Sequence, residues 1–350
     1  MDIYDLTELL GVLEHTKQLP KFWLQFFPNE RLFTTPHVLM DEVSTDLRRL
    51  APFVAPNVQG RVMRQDGYTT KQFAPAYVKP KDVVDPNNEQ FFRRRAGESL
   101  STGTFSPEQR WAATVAFLLS RQRIFIDNRL EWMAAKTIIT GMLTIEGEDY
   151  PLVTINFNRD ASLTRTLVGA AQWSNPTTSD PFGDIRAANR ASNDLCGATG
   201  HTIIMGPNAF DSFSDYLTSQ KKDLINNDYR GSRTEVSLIT AGLEGVEYMG
   251  RVAGSNGAGY EIWVYSQKFE NADGVLEDLM DPNLVVGVAS MVEGTQCFGA
   301  IKDTKARLRA LRYFPKMWDV EDPSATYLMT QSAPLTVPGR INATWSLKVQ

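Results

Sequence analysis

Apolar residues recur at helical spacing along one stretch of the chain, at Trp111, Val115, Leu118, Leu119, Phe125, Ile126, Leu130 and Met133. No proline or glycine interrupts the stretch between Pro107 and Gly141. Ser106 can serve as N-cap, Pro107 suits the first helical position, and Gln109 falls three residues after the cap, which is a capping-box signature. Gly141 supplies the stop. The pattern predicts a helix over 106–141, a rod of roughly 50 Å at about 1.5 Å per residue. Arg110, Arg121, Arg123, Asp127, Arg129, Glu131 and Lys136 are available for a solvated face. Roughly three times the usual helix length suggests a strut rather than one layer of a compact core, the alternative being an ordinary long helix kinked near Asn128.

Upstream, Leu6, Leu9, Leu10 and Leu13 fit a short amphipathic helix, followed by the dense aromatic run Phe22-Trp23-Leu24-Gln25-Phe26-Phe27-Pro28. Two partners for that run are open, the chain's own body or a neighbouring copy. Between 47 and about 90, Pro52, Pro56, Pro75, Pro80 and Pro86 exclude a long helix. There Val58–Arg64 and Thr69–Phe73 read as two strands around Gln65-Asp66-Gly67-Tyr68. The ribbon carries several charges and few large apolar residues. A two-stranded ribbon is marginal alone, so it is expected to lie on another surface.

Downstream, Met142–Ile145 and Leu152–Phe157 frame a turn at 146–149 and predict a second hairpin. Asp180 and Pro181 start a helix through about Leu195, with Asp180 as cap. A strand at 202–205, a helix at 208–224 and strands at 246–252, 260–265 and 284–289 follow, an α+β unit over about 175–304. Strand-like runs at 325–335 and 341–349 are expected beside the long helix, closing a sheet with the 142–157 hairpin.

Composition narrows what these elements can do. At 350 residues the chain can bury a large core in two or more structural units. A formal net charge of −5, with 36 basic against 41 acidic residues, argues against coating nucleic acid by bulk charge and leaves only local contact with DNA. Arg93-Arg94-Arg95 is a candidate phosphate patch, although so short a basic run is more often solvated or salt-bridged. Cys196 and Cys297 form no C-x-x-C pair and are expected as free thiols of a cytosolic protein. The opening Met1-Asp2-Ile3-Tyr4-Asp5 lacks a basic n-region, so no signal peptide is expected, and no apolar run reaches the length of about 18 residues that a membrane span needs.

Candidate chemistry is sparse. The run Gly250–Gly259, G-R-V-A-G-S-N-G-A-G, could cradle a phosphate with a strand before it and a helix after it, but Tyr260–Tyr265 reads as a strand and predicts a hairpin turn. His15, His37 and His201 lack metal-ligand spacing, and Ser255 misses the nucleophile-elbow pattern. Asp278 and Asp281 are a carboxylate pair of a kind that any chain of this size offers. No catalytic, cofactor-binding or metal-ligating set is expected. The enzyme reading that remains is nucleotide binding by the 250–259 loop.

The stretch Ala51–Val62, A-P-F-V-A-P-N-V-Q-G-R-V, continuing through Phe73–Lys81, F-A-P-A-Y-V-K-P-K, resembles the lambda-like phage major capsid protein E family. Further matches follow in the same order: Phe33-Thr34-Thr35, Trp173-Ser174, Asp180-Pro181 with Asp184-Ile185, Arg312-Tyr313 with Pro315-Lys316 and Trp318, and Gln331 to Leu335. The likeness covers most of the chain, and Tyr77–Lys81 is its most specific part.

The resemblance implies the Hong Kong 97-type capsid fold, of the α+β class. It implies an N-terminal arm at 1–46, an extended β-hairpin loop at 47–92 that reaches over a neighbouring subunit, and a peripheral domain at 93–174 with the spine helix at 106–141. An axial domain at 175–304, whose loops meet at the capsomer axis, and C-terminal peripheral strands at 305–350 complete it. The implied protein is not an enzyme but the major capsid protein of a tailed bacteriophage, assembled in the bacterial cytoplasm from hexamers and pentamers of itself into the icosahedral shell of the virion. The implied partners are a scaffolding protein during assembly, a portal protein, a trimeric decoration protein outside, and enclosed double-stranded DNA bound without sequence specificity. The procapsid would expand as DNA is packaged; no cofactor, metal or membrane takes part. The expected inter-subunit contacts are Phe22, Trp23, Phe26, Phe27, Arg61, Arg64, Asp66, Lys71, Phe73, Tyr77, Lys79, Arg93, Arg94 and Arg95. Some members of the fold cross-link through Lys and Asn side chains, but no such bond is expected of Lys71, and no scaffolding extension is expected before the arm. Within the same fold, the alternative is an encapsulin-like compartment protein.

Overall fold

The computed structural model describes residues 21–35, 37–43, 53, 59, 68–84, 107–147, 150–219, 225–226, 245–253, 259–271, 274–321 and 325–350. Helix α1, Pro107–Thr140, is 34 residues long and continues unbroken through Asn128. Its first half is amphipathic: Leu118, Gln122 and Ile126 are buried while Ala116, Ser120 and Arg123 are exposed. In its second half Leu130, Glu131, Met133, Ala134, Ala135, Thr137, Ile138 and Ile139 are all buried, while Arg129 and Thr140 are exposed. That half is therefore largely a core element rather than a strut; of the residues expected on a solvated face, Arg123 and Arg129 are exposed and Glu131 is buried.

Gly141 ends α1 at φ 72°. The carbonyls left open at its last turn are met from outside the helix. Arg159 donates to the Ile138 and Ile139 carbonyls, each at 2.8 Å, and to Ser346 Oγ at 2.9 Å. A guanidinium at a helix C-terminus also meets the negative end of the helix dipole. Burial pushes Arg159 down to about 10, still charged at neutral pH.

The main sheet has seven strands in the order Thr164–Thr166, Thr344–Lys348, Leu284–Val288, Thr202–Met205, Gly259–Tyr265, Val246–Ala253, Ile225–Asn226. Side chains alternate between its faces. Ile203, Met205, Val285, Ile262 and Leu347 pack under helices α2, Pro181–Cys196, and α3, Pro207–Ser219, through Ile185, Ala188, Ala209 and Phe213. Ile204, Val286, Val288 and Tyr265 face α1. Helix α2 starts as its sequence predicts, with Asp180 accepting the Gly183 N–H at 3.1 Å, and ends at Gly197 with φ 72°. Helix α3 begins one residue earlier than expected, and its expected end at 220–224 lies outside the described residues.

Two strand pairings depart from expectation. The 142–157 hairpin forms, Met142–Gly147 against Tyr150–Asn156, but stays a separate two-stranded pair. Among the C-terminal strands, Ala325–Gln331 joins Phe314–Val320 and Lys81–Val84, while Pro334–Val337 joins Thr295–Phe298, itself parallel to Asn29–Leu32. Thr344–Lys348 crosses the expected boundary at 304/305 to sit inside the seven-stranded sheet. Four of its five residues are buried, and such a strand needs partners on both edges and cover on both faces, which a half-wetted hairpin with Met142 and Leu152 exposed does not supply.

The other departure concerns the ribbon. Tyr68–Phe73 is a strand, with Tyr68 inside it rather than in the turn, and it pairs with Val38–Val43 from the arm in the register Val38↔Phe73. The strand expected at 58–64 lies outside the described residues except Gln59, which is not in a strand. The pair does lie on another surface: Val38 is buried with Leu143 and Ile155, and the Phe73 ring meets Phe157 at 5.9 Å. The amphipathic helix expected over 6–13 and the cap Ser106 lie outside the described residues.

Gly287 tests the sheet's packing. A Cβ there would drive into the Trp345 indole. Gly287→Ala is expected to lower unfolding stability by about 1–3 kcal/mol in a urea titration. An unchanged midpoint would mean that the indole is free to move.

Candidate functional site

Of the two partners left open for the aromatic run, it is the chain's own body that takes it. Trp23–Phe26 forms a short 3-10 turn, and Phe22, Trp23, Leu24 and Phe27 are buried with Phe26 half-buried. Phe22 lies 5.4 Å from the Trp263 ring, and Trp23 the same distance from Tyr265. Phe22, Trp23 and Phe27 are therefore withdrawn as inter-subunit contacts, because their surface is already spent.

Glu131 fixes this turn. Its Oε1 accepts the Trp23 N–H at 2.6 Å and its Oε2 the Leu24 N–H at 3.1 Å, so one carboxylate satisfies two donors that the start of a helical turn leaves open. Burial pushes its carboxyl up to about 7, against the pull of the backbone N–H groups of residues 22–24 and the charge of Lys21. Gln296 completes the dock by donating to the Phe27 carbonyl at 2.8 Å.

One helical turn earlier, Asp127 joins three segments. It accepts Lys21 Nζ at 2.9 Å, Arg312 Nη2 at 3.4 Å and a short hydrogen bond from the Tyr313 hydroxyl. Arg312 also reaches Glu30 at 3.0 Å. Burial alone would raise the Asp127 carboxyl, but these bonds and charges hold it below the ordinary carboxylate range.

The Lys81–Val84 strand is tied to the same helix. Gln122, fully buried, donates to Asp82 Oδ2 at 2.8 Å and to the Leu328 carbonyl at 3.0 Å, and accepts Thr330 Oγ1 at 2.7 Å. Arg121 pairs with the same Asp82. Val78 exchanges backbone bonds with Ser332, and the Tyr77 hydroxyl donates to the Ala300 carbonyl at 2.6 Å. Of the other expected contacts, Phe73 and Tyr77 are half-buried and Lys79 is exposed with its ammonium 5.2 Å from the Tyr77 ring centre. Lys71 lies in the Tyr68–Phe73 strand. Arg61, Arg64, Asp66, Arg93, Arg94 and Arg95 lie outside the described residues.

Reactive groups are dispersed. His37 and His201 are exposed on separate segments, and His15 lies outside the described residues. Asp278 pairs with Lys268 at 3.4 Å and Asp281 with Lys348 at 2.8 Å. Among the described residues no three His, Cys, Asp or Glu side chains are placed to hold a metal ion, and no helix is long and apolar enough to cross a membrane. Cys196 and Cys297 are unpaired, and burial pushes the Cys297 thiol up to about 12. Val246–Ala253 and Gly259–Tyr265 pair antiparallel, so the glycine-rich run, whose 254–258 segment lies outside the described residues, connects two strands and lacks the following helix that a phosphate loop needs.

Among the described residues the reactive side chains are scattered over separate segments, whereas the polar groups gathered on α1 hold chain segments together. The chain matches the family model described as phage major capsid protein E over residues 5–349 and belongs to that family. It is 28% identical to the major capsid proteins of Escherichia phage lambda and Escherichia phage N15, each over 344 residues and 96% of both chains. It is 27% identical to the P21 prophage-derived major head protein of Escherichia coli O6:H1 over 345 residues, again 96% of both chains. Its fold matches the crystal structure of a capsid protein assigned to a prophage of E. coli CFT073, with a TM-score of 0.71 at 24% identity and 99% of both chains covered. The fold is the mixed helix-and-sheet Hong Kong 97 type, and the family is structural rather than catalytic.

The Glu131 carboxyl sets a pH dependence. Its value is raised from 4.5 to about 7, so its contribution is complete below about 4.5 and is lost as pH rises through 7. Stability in urea is expected to fall by on the order of 3 kcal/mol across that window, and Glu131→Gln to flatten it. An equal slope in both proteins would place the titrating group elsewhere.

Proposed function

We propose that this chain is the principal shell subunit of a tailed bacteriophage, and that many copies close as hexamers and pentamers around double-stranded DNA held without sequence-specific contact. The observation that carries the reading is the family match over 5–349, with relatives named as major capsid proteins aligned over nearly their whole length. The anchoring of the arm and of the loop base to one helix supports it, because a subunit that reaches over its neighbours needs its projecting parts held firmly at their roots.

On this reading 1–46 is the arm, 47–92 the loop over a neighbour, 93–174 with 305–350 the peripheral domain, and 175–304 the axial domain, with the Thr344–Lys348 strand lent to the axial sheet. Phe26, Lys71, Phe73, Tyr77 and Lys79, with Arg61, Arg64, Asp66 and Arg93 to Arg95, are its inter-subunit contacts. Assembly takes a scaffolding protein and a portal, and a trimeric decoration protein binds outside. Maturation repacks α1 and the loop between two discrete arrangements of the subunit interfaces.

Negative-stain electron microscopy of the protein, expressed alone and with its neighbouring scaffold gene product, tests this. Closed shells or rings of five and six are expected. A monodisperse monomer under both conditions would overturn the reading.

A further inference from the structure

The segment 302–309 stands apart from the rest of the surface. Lys302, Lys305, Arg307 and Arg309 are all exposed, and among the described residues none of the four has a carboxylate partner. The nearby acid, Asp303, is spent inward: its carboxylate pairs with Lys316 at 2.7 Å and accepts the Lys305 N–H at 2.7 Å. The segment is rooted in the body, since Ile301 donates to the Arg309 carbonyl at 3.1 Å and Ala300 pairs with Ala310. Lys79 borders it across Tyr77, whose hydroxyl binds the Ala300 carbonyl.

Two further features point to what the patch meets. Arg307 and Leu308 lie at φ 50° and 54°, a left-handed conformation uncommon for residues other than glycine. Leu308 is 51% exposed, an apolar residue set between Arg307 and Arg309 in the sequence. A phosphate backbone would use the cations and leave Leu308 in water, whereas a protein surface would use both. The chain's net charge of −5 leaves the remainder of each copy more acidic than the whole. In a shell built of many copies, the abundant acidic surface is therefore the chain itself.

We infer that the 302–309 loop is a docking element between copies, with Leu308 seated in an apolar socket of a neighbouring copy and Lys302, Lys305, Arg307 and Arg309 meeting acidic side chains around it. The inference rests on the shell reading above and adds to it the surface and the chemistry of the neighbour's side.

Two variants test it beside the wild-type protein, all co-expressed with the scaffold gene product and scored for shell yield by sedimentation and microscopy, melting midpoint and nucleic-acid content. The combined Lys305→Glu, Arg307→Glu and Arg309→Glu variant is expected to lose shells by about tenfold or more, since charge reversal sets like charges face to face. Leu308→Gly relieves the left-handed strain, so its melting midpoint is expected to hold or rise while its shell yield falls severalfold. Shells from both variants at wild-type yield would overturn the inference while leaving the shell reading intact. Normal yield with depleted nucleic acid would also overturn it, by making DNA phosphate the occupant. No shells from the wild-type protein would overturn the shell reading and this contact with it.

Discussion

A single buried carboxylate determines where the arm of this chain sits. Glu131 is itself fully buried in the second half of α1, and its two oxygens meet the Trp23 and Leu24 amides. Without those donors a carboxyl at that depth would have no partner, and without the carboxylate the amides at the start of the 3-10 turn would be open inside an aromatic cluster. The two halves of the arrangement require each other. With the turn fixed, Phe22, Trp23 and Phe27 fill the space between α1 and the Gly259–Tyr265 strand, each burying surface worth about 1.5–3 kcal/mol.

Helix α1 then works as a common rail. Gln122 ties it to Asp82 and the sheet of Ala325–Gln331, Asp127 to the segment around Arg312, Glu131 to the Trp23–Phe26 turn, and the carbonyls at its C-terminal end to Arg159 and through it to the seven-stranded sheet. Each tie is a polar group buried or half-buried and fully used, so each fixes a geometry that apolar packing alone would leave looser. The Trp23–Phe26 turn, the Lys81–Val84 strand and the segment around Arg312 are thereby tied to one helix.

Much of this was legible in the sequence where the determinants are local. The span of α1, the Asp180 cap of α2 and the hairpin after Gly141 all follow from spacing and capping within a few residues. The order of motifs along the chain carried the family. What was not legible depends on partners far along the chain. Glu131 sits among charged residues at helical spacing and reads as solvated until amides 107 and 108 residues upstream are placed on it. Thr344–Lys348 has the composition of a strand, but nothing in that stretch says that its partner is Leu284–Val288 rather than the nearer-looking hairpin. Tyr68–Phe73 was readable as a strand, whereas its pairing with Val38–Val43 follows from the burial of Val38. Exposed charged loops such as 302–309 carry no such pattern; the exposure of its four cations and the left-handed backbone at Arg307 and Leu308 set that one apart.

The most direct measurement is a three-dimensional reconstruction of the assembled particle at a resolution that traces the chain from Lys21 to Phe27. Each copy's aromatic turn is expected on its own α1, with Trp23 and Leu24 at the Glu131 carboxylate of the same chain and that helix built into a closed icosahedral shell. A turn seated on a neighbouring copy's helix, or particles in which the chain lines no shell, would contradict both the anchoring and the role drawn from it.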